Sequence, residues 1–308
     1  MAIINGIIRK MAGSVGDFTF KQLNGQTVVS EKVTNMRNPR SDGQMKTRTK
    51  FTNIVAMYSL IRPRLRKAFE TKPAGVSDYN MFMKVNMQKE PVYLTKQNVA
   101  AGACVAAPYQ ITQGSLPTIV TSGTGQNIKT DIYLGALTIS ASTTVAQFAK
   151  EVVDNNLTFQ YGDQLTFFLV RQYVNAETSV PYVVVSSSKV VLDAADTTTK
   201  LWDIVNRVGF AASDSVLAHN ESNFEGAFGW VHSRKSDGKT LVSSQSLVAV
   251  NATLLAEHQG DTAYSLSKSS YGASIESFLI PDGESTGGAG NAPSGGGNSG
   301  GGGGNDSL

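Results

Sequence analysis

Residues 35–69 constrain the fold more than any other stretch, because they combine a helical repeat of apolar residues with an internal proline. Ser41 and Asp42 are good helix N-cap residues, and large apolar side chains recur after them, mostly at intervals of three or four. Pro63 removes a backbone donor, so the helix should end or kink before it, and a second helical piece can begin there. The residues that share one face of the predicted helix are Phe51, Ile54, Val55, Tyr58 and Ile61.

The same stretch is the densest in positive charge. Its basic residues are the candidate contact residues of the chain: Arg37, Arg40, Lys46, Arg48, Lys50, Arg62, Arg64, Arg66 and Lys67. These side chains can neutralise several phosphates of a nucleic acid, which would give salt-dependent binding without sequence preference. Since the basic residues of the helix flank its apolar face instead of forming a separate one, they also fit a helix that docks onto a partner protein.

Charge is unevenly distributed along the chain. Residues 1–96 contain 17 Lys or Arg and 6 Asp or Glu, whereas residues 97–308 contain 10 and 18, although the whole chain carries only +3. A basic head on an acidic body suggests an acidic partner for the head. That partner can be nucleic acid or the acidic body of a neighbouring copy, which would give head-to-tail assembly. The third interpretation is that the basic residues are simply solvated.

The head, residues 1–96, is predicted to consist of a β-hairpin followed by helices. Strand-like residues 17–23 and 26–33 flank Asn24-Gly25, a pair that favours a two-residue hairpin turn. Phe18 and Phe20 alternate onto one face of the first strand, as in a half-buried strand.

A further short helix is predicted after the basic residues. Ser77 is a good N-cap for a helix over residues 78–86. Its apolar residues, which we expect to pack against the first helix, are Tyr79, Phe82 and Val85.

Beyond the head, the pattern predicts a connector, a β-rich body and a tail. Residues 97–115 are mostly small and lack a clear period, which favours a loosely structured connector. Strands are predicted at 116–121, 129–134, 165–173, 182–187, 190–192, 226–231 and 240–250, with helices at 143–153 and 200–205. Asp237-Gly238 favours a hairpin turn. The spacing is typical of an antiparallel, Ig-like β-sandwich over residues 116–281, so the fold class is α+β.

Residues 282–308 are predicted to form a flexible tail. Eleven of the eighteen residues from 287 to 304 are glycine, and no large apolar residue precedes Leu308. Such a composition cannot offset its own ordering entropy.

Residue patterns for catalysis or metal binding do not stand out. His219, His232 and His258 fall in different segments without metal-ligand spacing, and the single Cys104 excludes an intrachain disulfide or a multi-thiolate site. Phosphate-loop, dinucleotide and nucleophile-elbow motifs are missing. We therefore expect no cofactor, no metal, no small-molecule substrate and no catalytic residues. The order of charges near residue 1 differs from that of a secretory signal and no apolar stretch is long enough for a bilayer span, so a cytoplasmic or virion-associated location without membrane contact is expected.

Two groups of residues together resemble a known pattern. Those of the head are Gly13, Ser14, Val15, Gly16, Val29, Ser30, Asn38, Pro39, Arg40, Gln44, Arg48, Phe51, Tyr79, Asn80, Phe82 and Asn86. Those near the end are Trp230, Val231, His232, Asp237, Gly238, Lys239, Val242, Ser243, Ser244 and Gln245. In these residues the chain resembles an uncharacterised family of Bacteroidetes proteins, known as a domain of unknown function. Residues 120–220 fit poorly, as an insertion would. The Asn-Pro-Arg helix is also similar to hypothetical proteins of tailed phages, and the family implies no activity.

Together these observations predict a non-enzymatic structural or assembly protein, of phage or mobile-element origin, whose basic head docks an acidic surface. Its partners would be copies of itself or another assembly protein. The alternative is a protein that binds nucleic acid without sequence preference. A second alternative is a surface adhesin or carbohydrate-binding module built on the sandwich.

Overall fold

The protein is an α+β protein arranged around one five-stranded antiparallel sheet, as seen in a computed structural model. The structure describes residues 2–4, 12–23, 26–32, 41–65, 67–89, 91–123, 128–205, 210–219 and 224–272. The predicted tail, residues 282–308, lies outside this range, as does the end of the predicted body.

The chain begins with a four-stranded antiparallel sheet, here called the N-terminal sheet. Its strands, in spatial order β1-β4-β3-β2, are β1 (Ala2–Ile4), β2 (Gly13–Val15), β3 (Phe18–Leu23) and β4 (Gln26–Glu31). The predicted hairpin is confirmed, because Leu23 pairs with Gln26, and the two turn residues lie outside the described residues. Phe18 is 56% exposed, so the burial expected for it is not found within the described residues.

The long basic helix is present with the predicted start and end. It is α1 (Asp42–Ile61), preceded by Ser41 at the N-cap position and followed by one 3₁₀ turn (Arg62–Arg64), with two short helices further on, α2 (Asp78–Asn86) and α3 (Lys96–Ala100). Because Pro63 cannot donate to the carbonyl four residues back, α1 cannot continue through it. The second helical piece is only this single turn.

The buried face of α1 is rotated from the predicted one. Phe51 is 39% exposed, whereas the polar residues Thr49 and Asn53 are fully buried. Thr49 Oγ1 donates to the Met45 carbonyl at 2.8 Å, and Asn53 hydrogen-bonds both backbone groups of Val105. A hydrophobic pattern misses this face because its polar side chains are satisfied inside the protein.

The short helix α2 matches its prediction. The Ser77 side chain accepts a hydrogen bond from the Asn80 backbone N–H. The rings of Tyr79 and Phe82 both lie 5.2 Å from the ring of Tyr58, which attaches α2 to α1.

The predicted connector is part of the core. After α3, residues 103–107 are buried throughout, and β5 (Gln110–Thr112) follows them. Asn53 and Gln172 hydrogen-bond the backbone of this segment from either side. Small side chains therefore indicate close packing here and not a loose linker; the domain boundaries themselves stay a prediction.

The next part of the body pairs short strands with helices and then forms a long hairpin. Its elements are β6 (Thr121–Ser122), β7 (Lys129–Tyr133), α4 (Val145–Asn155), β8 (Gln164–Val174), β9 (Pro181–Val191) and α5 (Leu201–Val205). Both predicted helices are confirmed, and Thr144 with Gln147 forms a capping box at α4. The strand predicted over 116–121 is wrong, since Leu116 makes only an isolated bridge to Ser243. The two strands predicted between 182 and 192 are the single strand β9.

The described chain ends with six strands and two helices. They are β10 (Ala211–Ser213), β11 (Val216–Ala218), β12 (Gly226–Ser236), β13 (Lys239–Val242), β14 (Gln245–Ser246), β15 (Val248–Val250), α6 (Thr253–Glu257) and α7 (Gly260–Ser270). The hairpin turn at Asp237-Gly238 is confirmed, with positive φ at both residues. Neither α6 nor α7 was expected. The Ser/Thr-rich sequence of α7 has little helical periodicity, yet its Tyr264 and Lys268 pack against the start of α1.

The five-stranded sheet, here called the central sheet, has the order β13-β12-β8-β9 with β15 also paired to β12. It is buried on both faces, because consecutive residues of β8 point to different cores. Phe168 and Val170 pack with α1, α2 and the 103–107 segment. Phe167 and Leu169 pack with α4, α5 and the sheet of order β10-β11-β7-β6. These sheets are compatible with a β-sandwich, whereas the Ig-like arrangement stays a prediction.

Candidate functional site

The 3₁₀ turn Arg62–Arg64, here called the basic turn, is held at both ends. Before it, α1 is anchored in the core by Asn53 and Ile61. After it, Phe69 bridges to Gln113, and the Glu70 carboxylate accepts hydrogen bonds from the backbone N–H and the hydroxyl of Ser115. Burial alone would raise the pKa of Glu70, but the hydrogen bonds from Ser115 and Val242 hold it below its usual value. The turn therefore projects from two fixed points.

Beside the basic turn lies a pocket of about 530 Å³, here called the cationic pocket. The turn forms one wall, and the open end of the central sheet forms the floor. The residues that define the chemistry of its lining are Pro63, Arg64, Phe168, Lys189, Val191 and Lys235. A volume of this size is within the range of ligand-binding pockets.

Strand pairing places the polar side chains of this floor. Thr166 of β8 lies between Lys189 of β9 on one side and Val231 of β12 on the other. Further along β12, Lys235 lies opposite Thr240 of β13. Because alternate residues of a strand share a face, these side chains lie on the same face as Phe168, the face that α1 covers further along. The helices end before the sheet does, which leaves the last residues of this face open.

The electrostatic character of the pocket is strongly positive. Arg64, Lys189, Arg234 and Lys235 line it, and the described residues of its lining include no carboxylate. Lys189 and Lys235 form no ion pair with any described residue, and the Arg64 guanidinium only donates to the Leu60 carbonyl at 3.3 Å. The pocket thus presents positive charge that the described chain does not neutralise.

The fourth cation, Arg234, belongs to a buried ion network under the rim. Its guanidinium donates to both Asp163 carboxylate oxygens at 2.7 Å, and His232 Nε2 lies 2.8 Å from Oδ2. Phe159 stacks on the His232 ring at 4.3 Å. Burial by itself would raise the pKa of Asp163, but hydrogen bonds from Arg234 and His232 lower it to about 2. This network fixes the start of β8 against β12, and the Asp163 carboxylate neutralises the charge of Arg234.

The other side of the basic turn faces a second, wider opening of about 990 Å³. Arg62 and Lys67 lie here beside Tyr79 and Asp78. Asp78 is paired with Lys72 at 2.6 Å. The basic residues around the turn therefore divide between two surfaces.

The remaining candidate residues lie elsewhere. Lys46, Arg48 and Lys50 are on the first half of α1. Arg62 of the basic turn is sixteen positions beyond Lys46, which corresponds to about 24 Å along the helix. Lys46 Nζ lies 5.9 Å from the centre of the Tyr264 ring of α7. Arg37, Arg40 and Arg66 lie outside the described residues. Of the six predicted contact residues that the structure describes, only Arg64 lines the cationic pocket.

Sequence reasoning missed Lys189, Arg234 and Lys235. The available signal was weak: Lys189 is the one charged residue of the strand β9, and Arg234 and Lys235 are adjacent at the end of β12. Nothing local indicated that strands 46 residues apart in sequence would bring Lys189 and Lys235 to one pocket.

The three histidines have structural surroundings. His219 stacks on Phe228 at 4.2 Å, His232 belongs to the ion network, and His258 Nδ1 lies 2.9 Å from the Leu254 carbonyl. Within the described ranges, no group of three or more His, Cys, Asp or Glu side chains is placed to hold a metal ion. Among the helices that the structure describes, none combines the length and apolar character that crossing a bilayer requires.

Comparison of the chain with protein-family models, with curated proteins and with solved structures gives no match. The resemblance to the Bacteroidetes family therefore stays a prediction.

Proposed function

We propose that the protein is a non-enzymatic assembly protein that docks an acidic surface of a neighbouring copy at its basic turn. The observation that carries this proposal is the cationic pocket, whose described lining includes Arg64, Lys189 and Lys235 but no carboxylate. Cations that line one cleft give it a positive potential, so a site of this kind favours a negatively charged occupant. The setting we propose is a phage-like or mobile-element assembly.

The charge distribution of the chain supports a copy of itself as the partner. The first 96 residues have an excess of basic residues and the rest an excess of acidic ones. Complementary surfaces on identical subunits give head-to-tail contacts, which close into rings or continue as filaments. Such contacts weaken with added salt.

Nucleic acid is the second candidate partner, and one observation favours it. Arg62 and Lys67 face the wider opening beside Tyr79, which offers cations next to an aromatic ring. However, Asp78 lies in the same opening, and Tyr79 packs edge-on against Tyr58. We therefore rank this interpretation below assembly.

The test is light scattering coupled to size exclusion on the nuclease-treated full chain, at low and high salt. We expect oligomers at low salt that dissociate at high salt, and a loss of oligomers in the double variant Lys189→Glu/Lys235→Glu. The control, Lys21→Glu/Lys84→Glu, changes the net charge equally at exposed lysines away from the pocket and should still assemble.

A monomer at every salt and protein concentration would overturn the proposal. Salt-sensitive binding of labelled single-stranded DNA by that monomer, lost in Arg62→Ala/Lys67→Ala, would support the second candidate instead.

A further inference from the structure

The chemistry of the cationic pocket specifies what can occupy it. Its rim carries Arg64, Lys189 and Lys235, whereas the exposed side chains of Pro63 and Val191 contribute apolar surface. A small hydrated anion would leave the apolar surface uncovered. The best complement is a peptide that has carboxylates on both sides of a short apolar run.

One segment of this chain has that composition. Residues 276–284, ESFLIPDGE, contain three large apolar residues in a row, Phe278 to Ile280, and the carboxylates of Glu276, Asp282 and Glu284, with no basic residue. The segment lies outside the described residues. The other stretches of more than four residues outside the described ranges differ: 5–11 and 33–40 are basic, and 285–308 contains a single carboxylate side chain and no large apolar residue before its last position.

The short length of chain between Gly272 and the segment favours docking in the pocket of another molecule. The described chain ends at Gly272, soon after Lys268, whose ammonium lies 2.6 Å from the Asp42 carboxylate at the start of α1. The pocket lies past the other end of α1, and Arg64 is 22 positions beyond Asp42, which corresponds to about 33 Å. Phe278 is six positions beyond Gly272, a separation that spans at most about 22 Å.

We propose that residues 276–284 of one copy dock in the cationic pocket of the next, with the carboxylates at the rim cations and the apolar run on the floor. This inference rests on the proposed assembly function and names the acidic partner that the pocket takes. Each copy offers one pocket and one segment, so the contact is heterologous and repeats from copy to copy.

The test uses three full-length variants. The pocket variant is Lys189→Glu/Lys235→Glu. The segment variant is Glu276→Lys/Asp282→Lys/Glu284→Lys. The control variant, Glu177→Lys/Asp203→Lys/Glu257→Lys, makes the same charge change at exposed acidic residues elsewhere. Circular dichroism and thermal melting establish that each is folded, and sedimentation equilibrium measures self-association.

We expect the pocket and segment variants each to self-associate at least tenfold more weakly than the natural chain, and the control to be unchanged. An equimolar mixture of the pocket and segment variants should associate again, because the segment variant keeps a natural pocket and the pocket variant keeps a natural segment. A synthetic peptide of residues 276–284 should inhibit assembly of the natural chain, and a scrambled peptide should not.

The outcomes separate the two proposals. Assembly that is lost in the pocket variant but kept in the segment variant would overturn this inference and leave the assembly function standing. Failure of the mixture to associate would mean that the segment does not act between copies, which also overturns it. A natural chain that never associates would overturn both.

Discussion

The N-terminal sheet and the central sheet are both antiparallel, yet their strands and surroundings differ, since apolar residues alternate in β3 but follow one another from 167 to 170 in β8. In the N-terminal sheet, pairing places Val15, Phe18, Phe20 and Val29 on one face, but Val15 and Phe18 are 64% and 56% exposed. In the central sheet, Phe167 and Phe168 are both 2% exposed although they point to opposite faces.

The difference is the presence of neighbouring layers. The central sheet lies between α1 with α2 on one face and α4, α5 and a second sheet on the other. The main contacts of β1–β4 within the described residues are with one another. Alternation predicts a strand, therefore, but burial depends on a second layer that the strand's own sequence does not specify.

The largest expected effect is on the central sheet. Phe167→Ala and Phe168→Ala should each lower the free energy of unfolding by about 3–5 kcal/mol, since each leaves a cavity in a different core. Urea denaturation of the full chain measures this. A loss below about 1 kcal/mol in either variant would mean that one of the two faces is not packed in solution.

A smaller effect should come from the ion network under the pocket. Because the folded-state pKa of Asp163 is about 2 and its unfolded value is near 4, the carboxylate stabilises the fold fully above about pH 4. This contribution, about 2 kcal/mol, should be lost as the pH falls from about 4 to about 2. Unfolding free energies of the natural chain and of Asp163→Asn, measured across this range, should differ in slope. Parallel curves would contradict the assignment.

The smallest effect should be at the exposed face of the N-terminal sheet. Phe18→Ser should change the free energy of unfolding by no more than about 0.5 kcal/mol, since an exposed side chain loses little on truncation. The same urea experiment measures it, with Phe168→Ala as the reference. A loss above about 1.5 kcal/mol would indicate that another layer covers this face in solution.

Much of the local structure follows from the sequence, because local chemistry decides it. Pro63 ends α1, Thr144 starts α4, and Asp237-Gly238 forms a hairpin with φ values of 48° and 74°. These features depend on backbone donors and allowed dihedral angles within a few residues.

The rest depends on residues far apart in sequence. Thr49 and Asn53 make the buried face of α1 look polar, and the partners that satisfy Asn53 lie more than fifty residues away. Likewise, the candidate site predicted from residues 35–69 contained Arg64, but Lys189 and Lys235 join it only through the pairing of four strands. The basic run in residues 35–69 therefore predicted the positive charge of the site, but not which residues of the distant strands line it.

The anchoring of the basic turn has a consequence for binding. Ile61, before the turn, is fully buried. After the turn, the Glu70 carboxylate accepts hydrogen bonds from the backbone N–H and the hydroxyl of Ser115. Backbone that is already fixed loses little conformational entropy when a partner arrives. The turn would then contribute little to the ordering penalty of docking, and stiffening it further should strengthen the complex little.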